Sequence, residues 1–557
     1  MKRLLLSMIC SGLALMSSQA QEYLYLDGNA IPLSNVVKVT TKTIVSENSL
    51  KAVMMRDNAI SLYNEALGVT GIMDSLTTYL DETYKWASDK DRIDSCTWTN
   101  DRLCIHTSSE YDNVAYPEKR YFNHTMFACP DAVLKDKYGV VKVLGKKDPA
   151  SLEHLAHQLY DPMYPEDASN DDCTSRKNAL NRFMSYHVLN IYGSYYKLTS
   201  VDGYEGNNAA NNFNREKYDI RDYYETLMPH SIMKCSFPSG SQEGLYINRR
   251  GVQSGADEYG VYVRGAKVMD MEYPDVKFEA GNGVYHYIDD VLAYGQTTQQ
   301  VVLNECIRMD ATTLSPDFMT LLTDGQMARG HAGADGKPYQ AGGQGSSAAS
   351  NKTRTVGFKP GFVRNFKYNY MTHMHVRGRV LNYWSYEGDE VIIKGRYDVS
   401  VKLPPVPAGT YEVRMMYCSG FQSRGIVATY IDGVPTKITD LRPGGRELFG
   451  FKTDSDLGDA EAINSFDILA HNKGWMKGPG CYATGDRSAW DASASTMRNL
   501  PNPVRLVIGR FETDGKSDHW LRLQQLMEGI IAELNFDFIE LVPTSVCDNE
   551  VYPESKM

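Results

Sequence analysis

The sequence lacks the short motifs that mark the commonest hydrolytic and nucleotide-binding sites. It contains no H-E-x-x-H, no P-loop and no G-x-S-x-G; the nearest stretch, Gly240-Ser241-Gln242-Glu243-Gly244, has the wrong spacing. These absences argue against the common serine hydrolases, zinc proteases and nucleotide hydrolases. They leave open an enzyme whose acidic residues meet only in space, because the chain has 69 aspartates and glutamates.

The chain also has few cysteines and a deficit of positive charge. Its ten cysteines form no C-x-x-C pair and no Cys/His spacing typical of zinc. Cys96 and Cys104 flank a hairpin-sized loop, so a local disulfide is expected if the protein is exported. Lysine and arginine number 58, and the net charge is −11. This charge disfavours nucleic acid as a partner, since such binding depends on neutralising phosphates.

After the first twenty residues, no apolar run reaches the roughly 18 residues that suggest a membrane span. The N-terminus itself has the pattern of a signal peptide, with Lys2 and Arg3, an apolar run and a small-x-small site at Ser18-Gln19-Ala20. We expect signal peptidase I to remove residues 1–20, and the mature chain to be periplasmic, at the outer-membrane surface or secreted. The residues before Cys10 do not fit a lipidation site.

The first half of the chain mixes helical and strand patterns. Ile60, Tyr63 and Leu67 recur at the three- and four-residue steps of an amphipathic helix. Phe127 ends a short apolar stretch, and Asp131 then favours the start of a helix. Short strands separated by glycine-bearing turns follow over residues 240–292. We therefore predict an α+β domain over residues 45–296.

Three stretches in this half, Thr125–Leu134, Phe183–Leu189 and Asn282–Leu292, resemble in that order the two homology boxes and the closing strand of a fasciclin-like (FAS1) domain. The positions that carry the resemblance are Phe127, Asp131, Tyr186, His187, Gly283, Ile288 and Asp289. The first box departs from the family order Phe-Ala-Pro-Thr-Asp, because Cys129 here stands before the proline.

The resemblance implies adhesion or matrix binding rather than catalysis, and a buried structural role for the Tyr186-His187 pair. The matching region is longer than the family's usual domain. The surplus falls in polar stretches at roughly 81–121, 145–177 and 195–240. Long insertions on a rigid scaffold often carry binding function, with simple decoration as the alternative.

The second half has a different pattern. Residues 325–358 are rich in glycine and serine, which predicts a loop or linker. Beyond them, Val399, Val401 and Leu403 alternate with polar residues, and Asp432-Gly433 is a hairpin signal. We predict a C-terminal domain at 298–545 with an all-β sandwich core from about residue 360. The run from 397 to 414 resembles the galactose-binding-like or malectin-like jelly rolls of exported Bacteroidetes proteins.

Two tryptophans of the second half, Trp475 and Trp490, lie in segments of loop composition. They are candidate glycan-binding residues, because an aromatic ring can stack on the apolar C–H face of a sugar; alternatively they plug the rim of the sandwich. The acidic run from Asp454 to Asp459 resembles a calcium loop, although its glycine comes one place early for an EF-hand. Related jelly rolls imply a possible structural calcium in this domain, and we expect no other cofactor.

These patterns together predict an exported, non-enzymatic binding protein of the bacterial cell envelope that recognises a polysaccharide or glycoconjugate. One alternative is protein–protein adhesion to an envelope protein through the fasciclin insertions, with the sandwich as a spacer. The other is a glycan-active enzyme with spatially assembled acids.

Overall fold

The computed structural model describes residues 48–77, 122–195, 198, 220–237, 244–248, 265–315, 386, 389–480, 497–527 and 532–548, and the backbone of six further strands. The chain forms two compact units, Met1–Ser46 and Glu47–Met557. The small unit contains an antiparallel sheet of β1 (Ser17–Ser18), β2 (Gln21–Leu26) and β3 (Asn29–Pro32). The Cys96 to Cys104 loop, most of the linker and the insertion at 81–121 lie outside the described residues.

The N-terminal part of the large unit contains helices and two small sheets. Its described helices are α1 (Leu50–Met54), α2 (Ser61–Val69), α3 (Ile72–Ser75), α4 (Asp131–Tyr138), α5 (Leu152–Tyr160), α6 (Ala179–Tyr186) and α7 (Gln296–Val302). Its described strands are β4 (His124–Ala128), β5 (Val188–Leu189), β6 (Ile220–Glu225), β7 (Ile232–Phe237), β8 (Tyr246–Ile247), β9 (Ala266–Lys267), β10 (Glu279–Ala280) and β11 (Gly283–Tyr287). Short 3-10 helices are formed by Asn58–Ile60, Pro165–Asp167 and Asp270–Glu272.

Side-chain caps determine where several of these helices begin. The Ser151 hydroxyl accepts a hydrogen bond from the His154 amide, and this bond starts α5 within the insertion predicted at 145–177. The Asn178 side chain accepts from the amides of Leu180 and Asn181 at the start of α6. The insertion therefore contains a capped helix rather than only irregular loop.

The central sheet of this part has the order β10-β11-β4-β5. Strands β11 and β4 run parallel in the middle, and every residue of both is buried. Parallel strands covered on both faces are mostly apolar, so the polar exceptions stand out. They are Thr125 and the histidines His124 and His286.

The C-terminal part is mainly antiparallel sheet. Its described strands are β12 (Ile307–Asp310), β13 (Thr353–Thr355), β14 (Val363–Lys367), β15 (His373–Gly378), β16 (Asp389–Lys394), β17 (Asp398–Lys402), β18 (Gly409–Cys418), β19 (Ile426–Ile431), β20 (Val434–Asp440), β21 (Trp475–Lys477), β22 (Pro503–Thr513), β23 (Trp520–Gln525), β24 (Glu533–Phe536) and β25 (Phe538–Pro543). Its described helices are α8 (Gly445–Phe449), α9 (Asp454–Leu457), α10 (Ala460–Asn472) and α11 (Thr544–Cys547), with 3-10 turns at Ala311–Thr313, Gln422–Arg424 and Met497–Asn499.

These strands form two five-stranded sheets and one four-stranded sheet. The front sheet has the order β14-β17-β23-β19-β20, the back sheet β12-β25-β18-β22-β21, and the third sheet β13-β15-β16-β24. Alternate residues of the front and back sheets enter one hydrophobic core, including Val399, Leu521, Val427, Val413, Leu506 and Ile539. The prediction of helices in the N-terminal part followed by antiparallel sheets is therefore confirmed.

The outer side of the back sheet is charged yet buried. Arg308, Glu540 and Arg414 are direct neighbours across β12, β25 and β18. Arg505 of β22 joins them, and its side chain, like those of Glu540 and Arg414, is fully buried. Burial alone would raise the pKa of Glu540, but the three guanidiniums outweigh it and lower the pKa to about 2. We call these four residues the arginine cluster.

The N-terminal and C-terminal parts of the large unit share buried polar contacts. The Lys234 ammonium lies 2.5 Å from a carboxylate oxygen of Glu305, and Tyr223 donates to the same oxygen. Both charged side chains are almost fully buried. A second ion pair joins Lys402 to Glu225 at 2.9 Å. The hydrophobic core also continues from one part to the other.

Candidate functional site

The residues of the first fasciclin-like box lie at the junction of β4 and α4. Phe127 is fully buried in β4. Asp131 begins α4, and its two carboxylate oxygens accept hydrogen bonds from the amides of Ser61 and Leu62. These amides belong to the first turn of α2, where the helix dipole favours a negative charge. Asp131 therefore fixes one helix onto the start of another.

Tyr186 and His187, at the end of α6, are both fully buried. The Tyr186 hydroxyl donates to the carbonyl of Ile232. His187 Nδ1 lies 2.8 Å from the Phe183 carbonyl, and Nε2 accepts the Leu292 amide at 3.1 Å. This geometry requires a neutral ring protonated on Nδ1. Burial lowers the pKa of His187 to about 4, so the ring remains neutral at physiological pH.

We expect His187 to make the protein less stable in mild acid. Its folded pKa lies below the ordinary histidine value, so the unfolded chain binds the extra proton as the pH falls from about 6.5 towards 4. This difference should reduce the free energy of unfolding by up to about 3 kcal/mol over that range. His187→Ala should itself cost about 1–3 kcal/mol, because buried partners are left unsatisfied.

Chemical denaturation at several pH values measures both effects. Met184→Ala is the matched control, since it removes a fully buried side chain of the same helix without removing a titrating group. It should lower stability while leaving the pH dependence unchanged. If His187→Ala retains the full acid sensitivity of the wild type, the effect belongs to other groups.

The closing strand contains the last three positions of the resemblance. Gly283 begins β11 and is paired with His124 of β4. The Ile288 amide donates to the Ala128 carbonyl at 3.1 Å, which extends that pairing. Asp289 accepts from the Lys267 amide at 2.7 Å. The positions of the resemblance therefore make structural contacts that join the central sheet to neighbouring helices and to the sheet that contains β7 and β9.

The sequence interpretation of Trp475 as a loop residue is wrong. Trp475 is the first residue of β21, is only 8% exposed, and packs against Tyr417 with ring centroids 6.3 Å apart. The preceding Gly474 has φ 85°, and this turn brings the tryptophan into the sheet. Its ring belongs to the core rather than to an exposed platform. Trp490 lies outside the described residues.

The acidic run from Asp454 to Asp459 does not fit a calcium ion. Asp454 is bound by Lys477 at 2.9 Å and Arg498 at 2.7 Å. Asp456 and Asp459 cap the starts of α9 and α10 respectively. The carboxylates thus already have cationic or amide partners. In the part of the chain that the structure describes, no group of three or more His, Cys, Asp or Glu side chains could hold a metal ion.

A polar surface on the outer side of the front sheet is a stronger candidate for ligand binding. Asp398 lies opposite Gln524, Ser400 opposite Arg522, and Arg522 opposite Tyr430. Directly opposed residues project to the same side of a sheet. Their strand neighbours, such as Val399 and Leu521, point into the core. We call Asp398, Ser400, Tyr430, Arg522 and Gln524 the polar front face.

Hydrogen bonds and stacking hold the polar front face in one arrangement. Arg522 makes two bonds to the Asp398 carboxylate, at 2.6 and 2.7 Å. Its guanidinium lies over the Tyr430 ring, 4.7 Å from the centroid. The Tyr430 hydroxyl donates to Gln524 Oε1 at 3.0 Å. The hydrogen bonds to the Asp398 carboxylate raise the pKa of Arg522 further, so the guanidinium stays charged.

Several polar atoms of this face remain available to a ligand. Within the described ranges, Arg522 Nη1 and Gln524 Nε2 form no hydrogen bond to protein. Ser400 is buried beside them and offers little surface to a ligand. The Arg522 side chain is 32% exposed. The adjoining edge strand β20 exposes Val434 and Ile438. The alternation around Val399 predicted that Asp398 and Ser400 face away from the core. It did not predict that Tyr430 and Gln524 lie beside them, because these residues come from strands distant in sequence.

The insertion at 145–177 provides a concavity of about 680 Å³. It is lined by Gly145, Lys146, Lys147, Asp148, Pro149, Glu153 and Asp171. Much of its charge is internally paired, as between Lys146 and Asp171 at 2.6 Å. Lys147 is exposed at its rim.

Among the described residues, no helix is both long and apolar enough to cross a membrane.

Comparisons with known proteins found only weakly similar solved structures. No family model matches the sequence, and no curated protein matches it. A Paenibacillus xanthan lyase structure is 12% identical over 28% of this chain and 11% of its own, with a TM-score of 0.17. A Phanerochaete chrysosporium exo-β-1,3-galactanase with galactose is 12% identical over 28% of this chain and 23% of its own, at 0.14. The galactanase with β-1,3-galactotriose is 8% identical over 58% and 56%, at 0.15. Scores this low carry no argument about fold or function.

Proposed function

We propose that this protein is a non-enzymatic carbohydrate-binding protein of the bacterial cell envelope, and that the polar front face binds a polysaccharide or glycoconjugate. On this proposal, the N-terminal part is a fasciclin-like domain with long insertions. The C-terminal part is a jelly roll that presents the ligand surface. Residues 1–20 direct export.

The observation that carries the proposal is the fixed network of Asp398, Arg522, Tyr430 and Gln524 on adjacent strands. A sugar presents hydroxyl groups that need both donors and acceptors, together with apolar C–H faces. The polar front face offers guanidinium, amide and hydroxyl groups beside a phenol ring. Because these side chains stand on strands and hold one another in place, little ordering is needed when a ligand binds.

A glycan array with the purified protein should identify a ligand, and Tyr430→Ala should then weaken its binding by about 1–3 kcal/mol. This loss corresponds to an increase in Kd of roughly five- to 150-fold. Titration calorimetry on wild type and variant measures it. The half-buried tyrosine contributes little to the core, so the melting temperature should change much less than the affinity.

Tyr430→Phe is the matched control, because it keeps the ring under Arg522 and removes only the bond to Gln524. It should keep most of the affinity. Trp475→Phe should lower stability and leave affinity unchanged, since Trp475 is buried. Normal binding by Tyr430→Ala would rule out the polar front face. If Trp490→Ala alone abolished binding, the site would lie at that tryptophan.

Protein–protein adhesion is the second candidate, favoured by the ordered concavity in the insertion at 145–177. An array without any bound glycan would favour it. A charge reversal at the exposed Lys147 would then be expected to weaken attachment to an envelope protein, whereas Tyr430→Ala would have no effect.

A further inference from the structure

His286 occupies the middle of the central sheet with no exposed surface. Its Nδ1 lies 2.6 Å from a carboxylate oxygen of Asp270, and its Nε2 lies 2.7 Å from the carbonyl oxygen of Gly193. The ring stacks on Phe127, with centroids 5.3 Å apart and planes 26° from parallel. Both ring nitrogens therefore face oxygen atoms from two different segments of the chain.

A carbonyl oxygen accepts hydrogen bonds and cannot donate them, and an ionised carboxylate does the same. Satisfying both contacts requires a proton on each ring nitrogen. Asp270 also accepts the Tyr287 amide at 3.1 Å through its other carboxylate oxygen. We infer that His286 is a buried imidazolium that fastens the Asp270–Glu272 turn and the Gly193 segment to β11, and that this fastening is lost as the pH rises.

The charged surroundings of His286 agree with this state. Burial by itself lowers the pKa of the ring, but the Asp270 carboxylate, the Gly193 carbonyl and Glu279 of β10 outweigh burial and raise it. From β4, the residue opposite His286 is the uncharged Phe127. In the part of the chain that the structure describes, the charged groups that act on the ring, Asp270 and Glu279, are both acidic.

His286 and His187 are thus two buried histidines with opposite protonation states. His187 accepts an amide at Nε2 and is neutral, whereas His286 meets two acceptors and is charged. A group whose folded pKa is raised stabilises the protein fully below its unfolded pKa. This stabilisation is lost as the pH rises through the pKa that the group has in the folded protein. Each pH unit above about 6.5 should lower the folding equilibrium constant by up to tenfold until His286 deprotonates.

Histidine-selective ¹⁵N NMR on the wild-type protein tests the charge state directly. We expect a ring that keeps protons on both nitrogens above the ordinary histidine pKa, assigned to His286 by its disappearance in His286→Gln. A neutral ring for His286 at pH 6, with the proton on Asp270 or absent, would overturn the inference. The charge state is read from the folded wild type, and His286→Gln serves only to assign the signal.

Asp270→Asn is the second variant, because it keeps the size of the side chain and removes the charge that holds the proton. The decline in stability between pH 6.5 and 8.5 should flatten in this variant. Hydrogen exchange, corrected for intrinsic rates, should show the Tyr287 amide opening with rising pH in wild type only. The Phe127 amide, bonded to the His187 carbonyl at 2.9 Å, serves as the internal reference. If exchange at both amides increases equally with pH, the whole domain is losing stability, and the proposed local role of His286 is disproved.

Discussion

Replacing Gly283 by alanine is expected to prevent the N-terminal part from folding in its present form. A Cβ atom at this position would lie 2.3 Å from the carbonyl oxygen of His124 and 3.0 Å from the Leu50 side chain. The obstructing oxygen belongs to the backbone of the paired strand β4, so no side-chain rotation relieves the clash. We expect a loss of more than about 4 kcal/mol in the free energy of unfolding.

Gly68→Ala provides the control for this substitution. Gly68 lies within α2, and a Cβ there would meet nothing within 4 Å. Alanine should stabilise this helix by about 0.5–1 kcal/mol. Urea denaturation followed by circular dichroism gives both values. A Gly283→Ala variant that unfolds at the wild-type urea concentration would show that β11 and β4 do not approach each other as described.

Replacing Glu540 by glutamine is expected to cost about 3–5 kcal/mol, the range for breaking a buried ion pair from one side. Its carboxylate lies 2.8 Å from Arg308 and 3.2 Å from Arg505, with Arg414 at 3.9 Å. Glutamine has nearly the same shape but no charge. The substitution removes the carboxylate that three fully or almost fully buried guanidiniums share.

The control for this prediction is Glu512→Gln, an exposed glutamate on β22 of the same sheet. Surface charge changes of this kind usually alter stability by less than about 0.5 kcal/mol. Thermal and chemical denaturation of the two variants should differ clearly. Equal stabilities would mean that other groups neutralise the arginines.

Sequence patterns anticipated the architecture better than the candidate site. Alternation around Val399 and Val413 correctly predicted strands with an apolar side facing the core, because period-two patterning is a local property. It did not predict that Glu412 and Arg414, on the other side of β18, are buried as well. Trp475 was assigned to a loop because glycine and polar residues surround it. The structure uses that glycine as a turn into a buried edge strand. Composition alone cannot distinguish these two uses of a glycine.

The features with the largest energetic consequences depend on contacts between distant positions. Nothing near Glu540 in the sequence shows that Arg308 and Arg505 surround it. The polar front face also depends on distant positions. Asp398, Tyr430 and Arg522 come from three strands that lie side by side only in the folded sheet. His286 resembles an ordinary buried strand residue until Asp270 and Gly193 are seen beside it. Local periodicity carries no information about such partners.

The position of β25 sets an order of events for a newly made chain. Among the described segments this strand is followed only by α11, yet it lies inside the back sheet, between β12 and β18. Its neighbours β12 and β18 are both made well before it and cannot complete their pairing until it emerges. Contacts between such distant positions form slowly. Until residue 543 has been synthesised, Arg308 and Arg414 have no Glu540 to bind, and an incomplete chain keeps an open sheet edge that chaperones or other chains can occupy.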